Sequence, residues 1–165
     1  MYKALLLCVL IGLPFAGMTQ QKELLPDLLR SHPAKDPSVI TTRIGGFVST
    51  LERKREKYSE QDFLRLILRE SYRKFFDTYK PYTQFSEIVE NGNYDCLSAT
   101  SFLSVVLEAL HYNYKVIETN YHIFLFVETE SGPVLVETTE QYNGIVTDPL
   151  QIEQRILTYR NNELF

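Results

Sequence analysis

Hydrophobic positions follow a helical period in the first half of this chain and alternate in the second half. Between positions 39 and 79, apolar residues recur at steps of three and four, which predicts two amphipathic helices. The first is expected to start at Val39 and to end in the charged block 52–57. The second starts at the capping residue Ser59, is expected to run to Tyr79, and stops before Pro81.

A third helix is predicted after a loop over residues 81–94. Asp95 is a favourable N-cap, and apolar residues follow it at helical spacing from Cys96 to Leu110. The pattern then alternates, which predicts strands over 114–119, 121–128 and 134–139, with a turn at 131–133. Helices followed by antiparallel strands predict an α+β fold whose third helix packs against a small sheet. Helical spacing at Ile152 and Ile156 predicts a closing helix or strap.

The N-terminal pattern predicts a secretory signal peptide over residues 1–19. Lys3 precedes an apolar run, Ala4 to Leu13, that is too short to span a bilayer as a helix, and the chain turns polar at Gln20. We therefore expect an exported protein with no stable membrane span after cleavage. Residues 20–38 predict a proline-containing leader, and residues 39–165 a single domain. Cys8 lies inside the apolar run after Leu7, which argues against a lipoprotein cysteine.

Composition excludes several classes of function. The chain of 165 residues has 44% hydrophobic residues, enough for one globular core. Its net charge is −4, and removal of residues 1–19 takes away Lys3 and no acid, so the mature chain carries −5. Acidic excess opposes nucleic-acid binding. No phosphate loop or dinucleotide motif is present, so no cofactor is expected.

Cys96 is the candidate nucleophile. It is the one cysteine that remains after signal removal, so it has no intramolecular disulfide partner. At the start of a helix, free amide groups and the helix dipole favour the thiolate form and can also stabilise an oxyanion. The carboxylate of Asp95 opposes this slightly. A buried, unreactive thiol is the alternative.

His122 and Glu137 are candidate partners of Cys96. His32 lies in the leader, and His111 suits the end of the third helix, whereas His122 begins a strand. In a hairpin with an even loop, residues 122 and 137 share a face. A loop closed at Thr129 and Glu130 sets them opposite each other, whereas one shifted toward Gly132 staggers them by four residues. A catalytic role requires the His122 ring to face Cys96. Otherwise His122 is a core residue and Glu137 an exposed edge residue.

The sequence resembles the transglutaminase-like superfamily, within the papain-like cysteine enzymes. The segments that carry the resemblance are Asn93-Tyr94-Asp95-Cys96 at a helix start, Tyr121-His122 at a strand start, and Val136-Glu137-Thr138-Thr139 at the end of the next strand. The family order is nucleophilic cysteine, histidine base, then acid. Glu137 replaces the more common Asp, and the chain has no Trp, which many members use near the cysteine.

The resemblance implies a thiol enzyme that acts on amide or ester bonds of a peptide or protein. Cys96 would attack the carbonyl, His122 would carry its proton, and Glu137 would orient the imidazole. The Cys96 amide would be one oxyanion donor, and Gln84 or Asn93 a second. Two alternatives remain: a non-catalytic domain that binds a peptide, a cell-wall fragment or an exported protein, and a zinc site formed by the same three side chains. We expect no metal, because the three residues lack tight ligand spacing.

Overall fold

The computed structural model describes residues 23–161, which form an α+β structure with five α-helices before its main sheet and one after it. The predicted signal peptide, Cys8 and the first residues of the leader lie outside the described residues. Within residues 23–161, no helix is both long and apolar enough to cross a membrane.

The described part of the chain begins with three α-helices. They are α1 (Leu24–Ser31), α2 (Pro37–Glu52) and α3 (Glu60–Lys74), with a short 3₁₀ turn at Arg55–Lys57 between the last two. The Ser59 side chain caps α3 by accepting from the Asp62 amide at 3.2 Å, as the sequence predicts. The predicted leader contains α1, whose Leu24 amide donates to the Glu108 side chain at 3.2 Å.

The prediction that α3 runs to Tyr79 is wrong. The helix ends at Lys74, and Phe75 and Phe76 leave it to bury their rings against Phe102, with centroids at 4.7 and 5.4 Å. Both aromatic residues fit the helical period, but tertiary burial of two adjacent rings on one residue outweighs it.

The predicted loop over 81–94 also contains regular structure. Helix α4 (Phe85–Asn91) lies within it, and the two-residue strands β1 (Thr78–Tyr79) and β2 (Asn93–Tyr94) pair in parallel. Gly92 ends α4 in the left-handed conformation, with a φ of 81°. Since α4 has only two turns, its buried positions Phe85, Ile88 and Val89 give too short a pattern to stand out in the sequence.

Helix α5 (Cys96–Ala109) packs between the other helices and the main sheet. That sheet is antiparallel with strand order β3 (Tyr114–Glu118), β4 (Ile123–Thr129), β5 (Gly132–Val136) and β6 (Ile145–Val146). The predicted turn between these strands is present, but it lies at residues 130–131 rather than 131–133, because Gly132 and Pro133 belong to β5 and pair with Thr129 and Glu128. Strand β6 pairs with residues 135–136 of β5, so Pro133 lies beyond that pairing and its missing N–H is tolerated.

The two faces of this sheet pack against different helices. Leu125, Val127, Val134 and Val136 join the main helical core, whereas Phe124, Leu135 and Val146 form a smaller core with the closing helix α6 (Pro149–Asn161). The sequence predicts α6 as a short helix or strap. Helix α6 therefore covers the sheet face opposite α5.

Candidate active site

Cys96 is the first residue of α5, directly after its cap. The Asp95 carboxylate accepts from the amide and hydroxyl of Ser98 at 2.8 and 2.7 Å, and from the Thr83 amide at 3.0 Å. The first intrahelical bond runs from the Ala99 amide to the Asp95 carbonyl at 2.9 Å. The Cys96 amide therefore precedes the helical hydrogen-bond ladder, at the positive end of the helix dipole. The Asp95 charge is shared among three donors rather than directed at the thiol alone.

His122 and Glu137 lie just outside the paired parts of β4 and β5. The His122 Nε2 atom is 2.6 Å from the Glu137 Oε2 atom. Leu125 pairs with Val136, so one step further Phe124 is opposite Glu137. His122 and Glu137 are therefore staggered by two residues. This register lies between the directly opposed one and the four-residue stagger that the sequence left open. The contact is thus a diagonal one, which long side chains on one face can make.

The Cys96 side chain is close enough to the His122 ring to raise the pKa of His122, through a side-chain hydrogen bond and through its charge. Strand parity places His122 on the α6 face of the sheet, whereas α5 lies on the other. The two meet because His122 precedes β4, and α5 begins beside that end of the strand, where the Thr100 hydroxyl donates to the Ile123 carbonyl at 3.4 Å. With Glu137 on Nε2, the remaining ring nitrogen, Nδ1, is the one available to Cys96.

The surroundings of His122 favour its protonated form. Hydrogen bonds with Cys96 and then with Glu137 raise the pKa of His122 to about 9, although partial burial acts in the opposite direction. An imidazolium held between a sulfur atom and a carboxylate is the charge arrangement that accompanies a thiolate nucleophile.

Glu137 is almost fully buried, with 1% of its surface exposed, and both of its carboxylate oxygens have partners. Oε1 accepts from the amide and hydroxyl of Thr139 at 3.1 and 2.8 Å, and Oε2 accepts from the Tyr159 hydroxyl at 2.7 Å as well as contacting His122. Burial acts to raise the pKa of Glu137, but the hydrogen bond and charge of His122, together with Tyr159 and Thr139, hold it below the usual range. Glu137 is thus a buried, ionised acid.

The backbone that carries Glu137 is fixed by a compact loop over residues 137–144. The Glu137 amide donates to the Gly144 carbonyl at 2.7 Å, and a side chain at Gly144 would collide with the carbonyl oxygens of Glu137 and Glu140. The Thr138 hydroxyl lies 3.0 Å from that of Thr100 on α5. These contacts fix the position of Glu137 relative to the helix that carries Cys96.

Tyr159 is a site residue that the sequence reasoning missed. Its ring lies 4.9 Å from the His122 ring, centroid to centroid, and its hydroxyl reaches Glu137. Ile152, Ile156 and Tyr159 continue one helical face, so the period of the tail was the available signal. That period does not say which element the face covers.

The two candidate oxyanion donors lie upstream of Cys96. Gln84 precedes α4, and its backbone amide donates to the Glu87 carboxylate at 3.3 Å. Asn93 lies in β2, and its side-chain amide donates to the same Glu87 carboxylate at 3.1 Å. The structure therefore places Asn93 in a contact with Glu87, and an oxyanion role for either residue stays a prediction.

Exposed apolar side chains lie beside the candidate nucleophile. Leu97 follows Cys96 and is 56% exposed, and Tyr121 precedes His122 and is 46% exposed. Burial, and then the charges of Cys96 and Asp95, raise the pKa of Tyr79, which is 54% exposed and close to the same position. Exposed aromatic and aliphatic groups thus lie next to Cys96 and His122.

Metal binding and similarity to known proteins give no further assignment. Among residues 23–161, no group of three or more His, Cys, Asp and Glu side chains is arranged to hold a metal ion. Comparisons of the chain with protein-family models, with curated proteins and with solved structures gave no match.

Proposed function

We propose that this chain is an exported, transglutaminase-like thiol enzyme that acts on amide or ester bonds. One observation carries the proposal: the His122 Nε2 atom contacts the buried Glu137 carboxylate, and the Cys96 side chain at a helix start acts on the same ring. A nucleophile, a proton carrier and an orienting acid in that order are the groups that thiol-based acyl transfer requires.

The proposed reaction begins with attack of the Cys96 sulfur on the substrate carbonyl carbon. The thiol proton resides on His122, which gives it to the departing amine or alcohol as the carbon–nitrogen or carbon–oxygen bond breaks. Water or an amine then attacks the thioester and gives a proton to His122, the carbon–sulfur bond breaks to release the acyl group, and the proton stays on His122, which restores the thiolate–imidazolium pair. Glu137 stays ionised and stabilises the imidazolium throughout.

The negative charge of the tetrahedral intermediate needs hydrogen-bond donors. The Cys96 amide, which precedes the first intrahelical bond of α5, is the first proposed donor. A second would come from Gln84 or Asn93. Because the Asn93 amide donates to Glu87, that role requires the Asn93 side chain to exchange partners on substrate binding.

The fold supports a papain-like core for this proposal. Helix α5, with Cys96 at its first position, lies against the antiparallel sheet whose strands β4 and β5 lead to His122 and Glu137. A peptide or protein substrate is proposed because the exposed Tyr79, Leu97 and Tyr121 offer apolar contacts beside the nucleophile.

Acylation by p-nitrophenyl acetate tests the proposed function. We expect a stoichiometric burst of p-nitrophenolate and an acetyl group that peptide mapping locates on Cys96. Cys96→Ala should abolish the burst, and His122→Ala should slow it at least tenfold. An acetylation rate at Cys96 that does not depend on His122 would contradict the proposal and favour the non-catalytic binding domain, whose ligand affinity should survive Cys96→Ala.

A further inference from the structure

We propose that Tyr159 is a positioning residue, whose hydroxyl and ring hold the His122–Glu137 pair in its productive arrangement from the closing helix α6. The proposal rests on the proposed function, because it assigns a role within the same site. At the site, Tyr159 contacts Glu137, His122 and Phe124, so it would act through Glu137 and His122 rather than directly.

The hydroxyl of Tyr159 fixes the oxygen that His122 uses. Glu137 has three rotatable side-chain bonds. The amide and hydroxyl of Thr139, two residues further along the chain, both donate to its Oε1 atom. The Tyr159 hydroxyl donates to Oε2 at 2.7 Å, on the same atom that lies 2.6 Å from the His122 Nε2 atom. Both oxygens are thereby held, and the carboxylate cannot rotate away from the ring without breaking hydrogen bonds in a buried place.

The ring of Tyr159 restrains the imidazole itself. Its centroid lies 4.9 Å from that of His122 and 5.1 Å from that of Phe124, and the His122 and Phe124 rings stack at 6.3 Å. His122 is thus covered by two aromatic rings on the α6 side. They shield the His122–Glu137 bond, whose two side chains are 14% and 2% exposed, and shielding from water strengthens a charged hydrogen bond.

The charges around Glu137 keep Tyr159 a hydrogen-bond donor. Burial, and then the neighbouring Glu137 carboxylate, raise the pKa of Tyr159 above its ordinary value, so the phenol stays protonated across the physiological range. Arg155, one helical turn earlier, bonds both oxygens of Glu140 at 3.0 and 2.9 Å. Helix α6 therefore holds both ends of the segment 137–140. The hydroxyl of Tyr72, on α3, also donates to the Thr138 carbonyl in this segment at 3.1 Å.

A double-mutant cycle on acylation separates positioning from simple structural support. We expect Tyr159→Phe, which keeps the ring, to slow acylation of Cys96 about tenfold. In a Glu137→Gln background the same change should have less than about a twofold effect, because the hydroxyl acts through the carboxylate. Tyr142→Phe, at a tyrosine that is 88% exposed, is the matched control and should match the parent protein. An undiminished rate for Tyr159→Phe, or an equal loss in both backgrounds, would overturn the proposal.

A second measurement does not depend on enzyme activity. The Nε2 proton of His122, if held against Glu137, should give a slowly exchanging, downfield ¹H–¹⁵N NMR signal in the parent protein and in Tyr142→Phe. Tyr159→Phe should accelerate its exchange at least tenfold. Equal exchange in the two proteins would overturn the role of Tyr159 and leave the proposed function intact. Accelerated exchange together with an unreactive Cys96 would support positioning by Tyr159 while the proposed function fails.

Discussion

Glu137 meets His122 across a two-residue diagonal, with 2.6 Å between Oε2 and Nε2, although the register of β4 and β5 sets Glu137 opposite Phe124. A diagonal contact is longer than a directly opposed one, so the acid must reach toward the start of β4. The extra methylene of glutamate, compared with the aspartate common in the family that this sequence resembles, supplies that reach. Side-chain length and strand register are therefore matched at this site.

Shortening the acid should therefore break the contact even though the charge remains. In Glu137→Asp we expect the pKa of His122 to fall from about 9 toward its ordinary value of 6.5, because the carboxylate can no longer reach Nε2. Glu137→Gln keeps the length and removes the charge, so it should also lower the pKa. NMR titration of the His122 ring measures its pKa in both variants. A midpoint in Glu137→Asp equal to that of the parent protein would contradict the diagonal-reach argument.

The thiol should contribute to the same titration. Its hydrogen bond is the largest effect that raises the pKa of His122, so Cys96→Ala should lower the NMR midpoint from about 9. The sign follows from the partner, since an acceptor or a negative charge beside the ring stabilises imidazolium and its removal makes the proton easier to lose. Cys96→Ser is the companion variant, because it keeps a polar atom at this position. An unchanged midpoint in Cys96→Ala would mean that the two side chains do not interact in solution.

The turn behind Glu137 should not tolerate a side chain at position 144. Gly144→Ala places a methyl group against the carbonyl oxygens of Glu137 and Glu140, so we expect a loss of about 1–3 kcal/mol in the free energy of unfolding. Gly46→Ala is the matched control, because nothing lies within 4 Å of its added carbon and it lies inside helix α2. There alanine should stabilise by up to about 1 kcal/mol. Urea unfolding of the three proteins provides the comparison, and equal effects at the two sites would contradict the close-approach argument.

Export is a separate prediction from the N-terminal pattern of Lys3 and the apolar run that follows it. Mass spectrometry of the protein from its native host should find a mature N-terminus between residues 17 and 21. An intact Met1 on protein from the cytoplasm would contradict export and would leave the chemistry of Cys96 to be judged on its own.

Local signals in the sequence were sufficient to place the central helix and most of the sheet. Asp95 predicts the start of α5 because a carboxylate there caps the helix, and the structure shows that cap on the Ser98 amide. Alternation predicts β4 within two residues at each end. These features depend on neighbours within a few positions, so pattern reasoning could reach them.

Features decided by distant contacts were not predictable in this way. Phe75 leaves the helical pattern to pack on Phe102, and Pro133 is accommodated in β5 because β6 pairs with only two residues of that strand. At the site, the parity of residues 122 and 137 was available from the sequence, whereas the register and the contribution of Tyr159 were not. Both depend on how the hairpin and α6 pack, which no local spacing encodes.

The rate at which iodoacetamide alkylates Cys96 at pH 6 tests the central claim most directly. A free thiol, with a pKa of about 8.5, is almost entirely protonated at that pH, whereas a thiolate stabilised by His122 and the start of α5 reacts. We predict that Cys96 in the folded protein reacts about tenfold or more faster than the same residue in urea, and that His122→Ala removes most of this difference. Slower alkylation in the folded protein than in urea, with no effect of His122→Ala, would contradict the account and leave Cys96 as a packing residue.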